Sequence, residues 1–225
     1  MLFSQLATLA ASVASAQALS KGFNSGNLRT DQTPKTYNDF AAEFKKGANL
    51  PGTSGWNSIR LYTNVQGGTQ TTPISAFKAA IDTKTTMLLG IWTSEDKQKF
   101  QNELTALQSA IDEYGSDFTD LVVGLSVGSE DLYRNSVTGQ ENDSDPGINP
   151  DMLVDYIKQV RKAISGTSLS DTPIGHVDTW DAWTNGTNSE VVENIDWVGM
   201  DTYPYFEYQK DNVSCRIAIV PSGCS

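Results

Sequence analysis

A chain of 225 residues is long enough to bury a substantial core, as one large α/β domain or two small ones. Its formal net charge of -11 at pH 7 argues against a phosphate-tracking nucleic-acid binder, which needs clustered Lys and Arg, and fits a neutral or weakly charged substrate better. Cys215 and Cys224 make at most one bridge and His176 is the single histidine, so neither a disulfide scaffold nor a zinc cluster is expected, and no metal or cofactor is implied.

Residues 1–18, MLFSQLATLAASVASAQA, have no charged side chain, an apolar middle and small residues at Ala14-Ser15-Ala16 and Ala16-Gln17-Ala18. They read as a secretory signal peptide, which places the mature protein outside the cell or in its wall. The stretch is too short and too interrupted by Ser, Thr and Gln to span a bilayer, and a buried first helix is the alternative. Residues 21–26 (KGFNSG) form a brief strand candidate. Over 37–50, Phe40, Ala41, Phe44 and Ala48 recur at helical spacing. Residues 58–64 (SIRLYTN) alternate as a strand does, and 73–83 is a short helix with Pro73 in its first turn. The apolar run 85–92 (TTMLLGIW) is a third strand. Ser94 then stands as the N-cap of a long helix reaching Tyr114, with Phe100, Leu104, Leu107 and Ile111 on one face.

The stretch 121–133, LVVGLSVGSEDLY, organises the rest. Val122, Val123, Leu125 and Val127 form the nearly continuous apolar run of a strand buried on both faces, and it ends abruptly in Ser129, Glu130 and Asp131. A carboxylate at the C-terminal end of a buried parallel strand stands where α/β folds place their ligands. The plainer alternative is a charged first turn favoured by the helix dipole. After a polar loop, 149–165 is helical on Met152, Leu153, Tyr156, Ile157, Val160 and Ile164. Residues 173–180 and 197–204 are two more strands, with a short helix at 190–194 between them. Asn142 and Asn185 head acceptor sequons in loop-like stretches, as a secreted glycoprotein has; a third, at Asn212, falls in an aberrant tail.

Six strands alternating with five helices predict a parallel sheet, either doubly wound or barrel. No strand leads into a GxGxxG or Walker-type loop, so the nucleotide-binding version lacks its phosphate cradle. Tyr62, Trp92, Glu130, Trp180 and Tyr203 instead fall at strand ends. Singly, each aromatic reads as core or rim packing. Together they describe a cleft for a sugar polymer, because pyranose C–H faces stack on aromatic rings while hydroxyls take hydrogen bonds.

GFNSG near the start of the mature chain, SIRLYTN, VVGLSVGSEDLYR and MDTYPYF, in that order, resemble the fungal branch of glycoside hydrolase family 17, the glucan endo-1,3-β-glucosidases. The resemblance runs from about residue 21 to about residue 212. It implies a (β/α)8 TIM barrel, incomplete here at about six β/α units, and a retaining hydrolase of cell-wall β-1,3-glucan. It also implies an acid/base Glu ending the fourth strand, where Glu130 falls, and a nucleophile Glu ending the seventh. By the same resemblance Tyr62, Ser129, Tyr203 and Tyr205 line the subsite around the cleaved bond, with Trp180 as a platform further along. Most members of the wider clan carry Asn before the acid/base; Ser129 stands there and can still donate a hydrogen bond at shorter reach.

The seventh-strand motif, a TETGWP-like segment, does not occur in the sequence, and 213–225 (VSCRIAIVPSGCS) departs from the family pattern. Retaining hydrolysis needs a second carboxylate about 5 Å from the acid. Asp201 and Glu207, the nearby acidic candidates, would be misplaced by one strand spacing, about 5 Å. The expectation is therefore a signal peptide at 1–18, a partial barrel at 19–212, monomeric if folded, and a tail translated from an unspliced intron. A non-catalytic glucan-binding protein, a non-functional gene-model fragment and a β-1,3-glucanosyltransferase stay open beside the hydrolase.

Overall fold

In the computed structural model the structure describes residues 20–203 except Glu95. Six strands, β1 (Gly22–Ser25), β2 (Ser58–Leu61), β3 (Thr86–Ile91), β4 (Val122–Ser129), β5 (Ile174–Thr179) and β6 (Trp197–Asp201), form one sheet in sequential order, every neighbouring pair parallel. Sequential parallel order with a helical crossover between strands is the winding of a (β/α) barrel rather than of a doubly wound sheet, whose strand order reverses at a switch point.

The helices are α1 (Tyr37–Ala48), α2 (Ala76–Thr83), α3 (Lys97–Tyr114), α4 (Ser116–Thr119), α5 (Asp131–Arg134), α6 (Val137–Glu141), α7 (Pro150–Ile164), α8 (Trp180–Thr184) and α9 (Ser189–Asn194). The long helices bury their periodic faces: Phe40, Ala41 and Phe44 from α1, Phe100 and Leu107 from α3, Leu153, Tyr156, Ile157, Val160 and Ile164 from α7. Leu89, Leu125 and Ile174 pair across β3 to β5 and are fully buried, as is Leu61 of β2. The core therefore lies between sheet and helices. On the other face small residues let a large one in. A Cβ on Gly175 would fall 2.3 Å from the Trp197 ring, so only glycine allows the indole to lie there.

The sheet is curled. β2 and β6 are four strand spacings apart, about 19 Å in a flat sheet, yet Arg60 of β2 reaches Asp201 of β6 at 3.5 Å and Ser129 of β4 at 2.9 Å. Two side chains span that gap only if the strands bend around a common axis.

Several expectations shift. The helix after β3 is capped by Asp96, whose side chain accepts from Lys99 N at 2.8 Å, and not by Ser94, which is buried and bonded to Asp131 instead. Pro73 precedes α2 and lies in a bridge with Val65. Val123 is exposed, so the start of β4 is not covered on both faces; Met152 is likewise exposed on α7. Four short helices, α4, α5, α6 and α8, lie in stretches whose few residues carry no periodicity to read.

Candidate active site

β4 does not end smoothly. A Cβ on Gly128 (φ 78°) would lie 2.2 Å from Asp131 Oδ2, and Glu130 itself adopts the left-handed conformation at φ 57°, ψ 25°. For a residue with a Cβ that costs about 1–2 kcal/mol and persists only where neighbours hold it. They do so from two strands. Asp131 is fully buried and accepts from Ser129 N at 2.7 Å and Ser94 Oγ at 2.5 Å, with Arg134 3.5 Å away; Arg134 also donates to Ser94 Oγ. Asp178 at the end of β5 accepts from Leu132 N at 2.9 Å and Tyr133 N at 3.3 Å, fastening the first turn of α5.

Glu130 is half-buried, and Tyr203 donates its hydroxyl to Glu130 Oε1 at 2.6 Å. Burial pushes the carboxyl above its usual range. The Tyr203 hydrogen bond pulls it back, the Asp201 and Asp178 charges add to the rise, and Arg134 opposes them. A carboxyl whose hold on its proton is strengthened by burial at the end of a strand is suited to general-acid chemistry. Burial, followed by the same hydrogen bond, likewise raises the Tyr203 phenol.

Arg60 lies at the middle of the site. Its guanidinium bonds Ser129 Oγ, pairs with Asp201 and stacks over the Tyr62 ring at 4.8 Å. Ser129 is thus buried and already accepts one hydrogen bond, keeping its own hydroxyl hydrogen to donate. Beside it a cleft of about 530 Å³ opens at the ends of β2 and β3, walled by Tyr62, Thr63, Gln66, Trp92 and Asn102 among others. Arg134 lies over Trp92 at 5.0 Å, linking this cleft to the turn that carries Glu130.

The structure therefore brings Glu130, Ser129, Tyr203 and Tyr62 around Arg60 and Asp201. Trp180 does not end β5; it opens α8 and is 45 % exposed, outside the cleft walls. Tyr205, Cys215 and Cys224 lie outside the described residues. Asn142 and Asn185 are exposed, and Asn185 Oδ1 accepts from Thr187 Oγ1 at 2.9 Å, so the sequon is folded into a tight turn. Among the described residues no group of three or more His, Cys, Asp or Glu is placed to hold a metal ion. The reading of strand ends missed Arg60 and Asp178, gave His176 no role, and named Asp131 and Asp201 without their partners. The signal was there: charged residues inside otherwise apolar strands, at SIRL, IGHVDT and WVGMD, belong in a core only when paired.

The BtgE/BtgC glycoside hydrolase domain matches residues 22–217. The chain is similar to "Probable glucan endo-1,3-beta-glucosidase eglC" of Aspergillus fumigatus, 54% identical over 207 residues that cover 92% of this chain and 46% of that protein. It is also similar to the protein of the same name from Aspergillus clavatus, 57% identical over 208 residues, with coverages of 92% and 46%. It spans about half the length of the curated relatives it matches. Among solved structures, a β-glucuronidase from Ruminococcus gnavus aligns over 82% of this chain and 28% of that chain, at 13% identity and a TM-score of 0.45.

Proposed function

Because the chain belongs to the BtgE/BtgC glycoside hydrolase domain family, we propose that it forms part of the active site of a retaining hydrolase of β-1,3-glucan, of the kind grouped as glycoside hydrolase family 17, with Glu130 as proton donor. The relatives' names supply the substrate class. The observation that carries the residue assignment is the carboxyl of Glu130, half-buried at the end of β4, held in a strained turn and bonded by Tyr203. Such a conformation persists only where its surroundings over-determine it, and residues held this way cluster at active sites.

In this reading the Glu130 proton passes to the glycosidic oxygen as its bond to the anomeric carbon breaks, and a carboxylate about 5 Å away attacks that carbon. We assign no described residue to the attack, since Asp201 is already tied to Arg60. Glu130 then takes a proton from water, giving hydrolysis, or from a sugar hydroxyl, giving transfer. Ser129, Tyr62, Tyr203 and Tyr205 contact the sugars around the bond, with Trp180 further out. Secretion, with glycans on Asn142 and Asn185, belongs to the same proposal.

The test is Glu130→Gln in the full-length protein. Turnover of β-1,3-glucan should fall by about 10²–10⁴-fold, oligosaccharide binding by calorimetry should survive, and aryl glucosides whose leaving group needs no proton should lose far less. Undiminished turnover of the polymer removes the assignment.

A further inference from the structure

β4 and β5 pair at Leu125–Ile174 and Ser126–Gly175 and again at Ser129–Val177, so β4 advances three residues while β5 advances two. The extra residue is a bulge, and such bulges re-aim the side chains that follow. His176 fills it. Its Nδ1 lies 2.6 Å from the Val127 carbonyl and its Nε2 lies 2.9 Å from Asp178 Oδ2. A carbonyl only accepts, so Nδ1 carries a hydrogen. Asp178 also accepts from the N–H groups of Leu132, Tyr133 and Thr179, so it faces Nε2 as an acceptor and Nε2 donates to it as well.

The ring is fully buried and meets the Trp183 ring edge-on, their centroids 5.6 Å apart. β4 supplies no ionisable side chain, α8 supplies Trp183 at the ring, and α5 supplies Asp131 with its partner Arg134. Burial opposes the charge, but Asp178, then Asp131 and the Val127 carbonyl, outweigh it and raise the imidazole above its usual range.

We propose that His176 is a positioning residue, an imidazolium that ties the bulge turning β4 toward the cleft to the carboxylate gripping the turn that carries Glu130. The proposal rests on the reading of Glu130 as proton donor. Both ends of the tie meet at that turn: Val127 precedes Glu130 on β4, and the Asp178 bonds to Leu132 and Tyr133 follow it.

Two variants separate the ends, because Asn places an N–H near the Nδ1 position and Gln near the Nε2 position. In the full-length protein His176→Asn keeps the Val127 bond and frees Asp178. Its kcat should fall about 10²-fold, as expected for a catalytic group misplaced by about 1 Å, with KM little changed. The Glu130 carboxyl, followed by carbon NMR, should titrate lower as the side chain becomes hydrated. His176→Gln should retain most of kcat and the raised Glu130 midpoint. Nitrogen NMR of the unaltered protein should show both ring nitrogens of His176 protonated at pH 7. A neutral ring there overturns the proposal, as do Asn and Gln variants that lose activity only in proportion to lost folded protein while Glu130 titrates unchanged. Glu130→Gln is assayed alongside: retained turnover would overturn the proton-donor reading, while the Glu130 titrations would still decide whether His176 sets that carboxyl's position.

Discussion

At the scale of single residues the site depends on what is allowed to lack a side chain and what is allowed to lack a charge. Gly128 is the first case. A methyl there would meet Asp131 Oδ2 at 2.2 Å and Thr93 Oγ1 at 2.8 Å, on a backbone at φ 78°. Gly128→Ala should cost at least about 2 kcal/mol in urea unfolding and lower turnover further by displacing Asp131. Unfolding energies equal to the parent's would mean the turn is more pliable than its contacts imply. Glu103 is the second case. Burial raises this carboxyl to about 8, although Thr63 Oγ1 and the Asn64 amide, at 2.6 Å, both donate to it. The folded protein then holds a proton that the unfolded chain releases above its ordinary carboxylate range. The part of the stability that Glu103 governs is complete below its ordinary carboxylate range and declines as pH rises toward 8, by about 1.4 kcal/mol per unit in between. Glu103→Gln, neutral at every pH, should flatten that decline in thermal melts run from pH 5 to 9; an unchanged slope would trace it to another group.

At the scale of elements, one polar residue takes the role that the sequence suggests for another two positions before it. Ser94 looks like the cap of α3, but Asp96 caps it and Ser94 serves Asp131 and Arg134. Asp96→Ala should therefore cost about 1 kcal/mol and lower the melting temperature more than it lowers kcat, whereas Ser94→Ala should lower kcat more than it lowers the melting temperature. Equal profiles for the two variants would contradict this division. The case shows what the sequence made legible. Strand positions, long helices and the placement of Glu130 at a strand end follow from period and composition, which read one element at a time. The bulge, the left-handed turn and the ties from Asp131 and Asp178 depend on contacts between elements far apart in the chain. Local periodicity has no means of registering them. Trp180 fails for a related reason: an aromatic after an apolar strand reads as that strand's last residue, yet Thr179 accepts from Ala182 N and starts a helix one position earlier.

At the scale of the whole molecule, the described sheet has edges at β1 and β6. On β1, Phe23 is 36% exposed and packs at a tilt against Trp56, and both line a cavity of about 300 Å³ with Leu50 and Ile59. Parallel strands with open edges template further pairing. A fragment spanning residues 20–203 should self-associate in sedimentation and bind hydrophobic dyes, while a monodisperse, sharply melting monomer would contradict this.

The reach of Arg60 across the curled sheet carries a consequence for synthesis. Arg60 and Asp201 are 141 residues apart, so at 5–20 residues per second the ribosome needs roughly 7–28 s to supply the second after the first. In that interval the apolar layer between β1–β4 and their helices can assemble from segments already made. The inner lining cannot be completed, because the Arg60 guanidinium has Tyr62 and Ser129 to meet but not yet its carboxylate partner. The nascent chain should thus gain its outer shell early and its concave surface last, with water leaving the interior only once β6 has been translated.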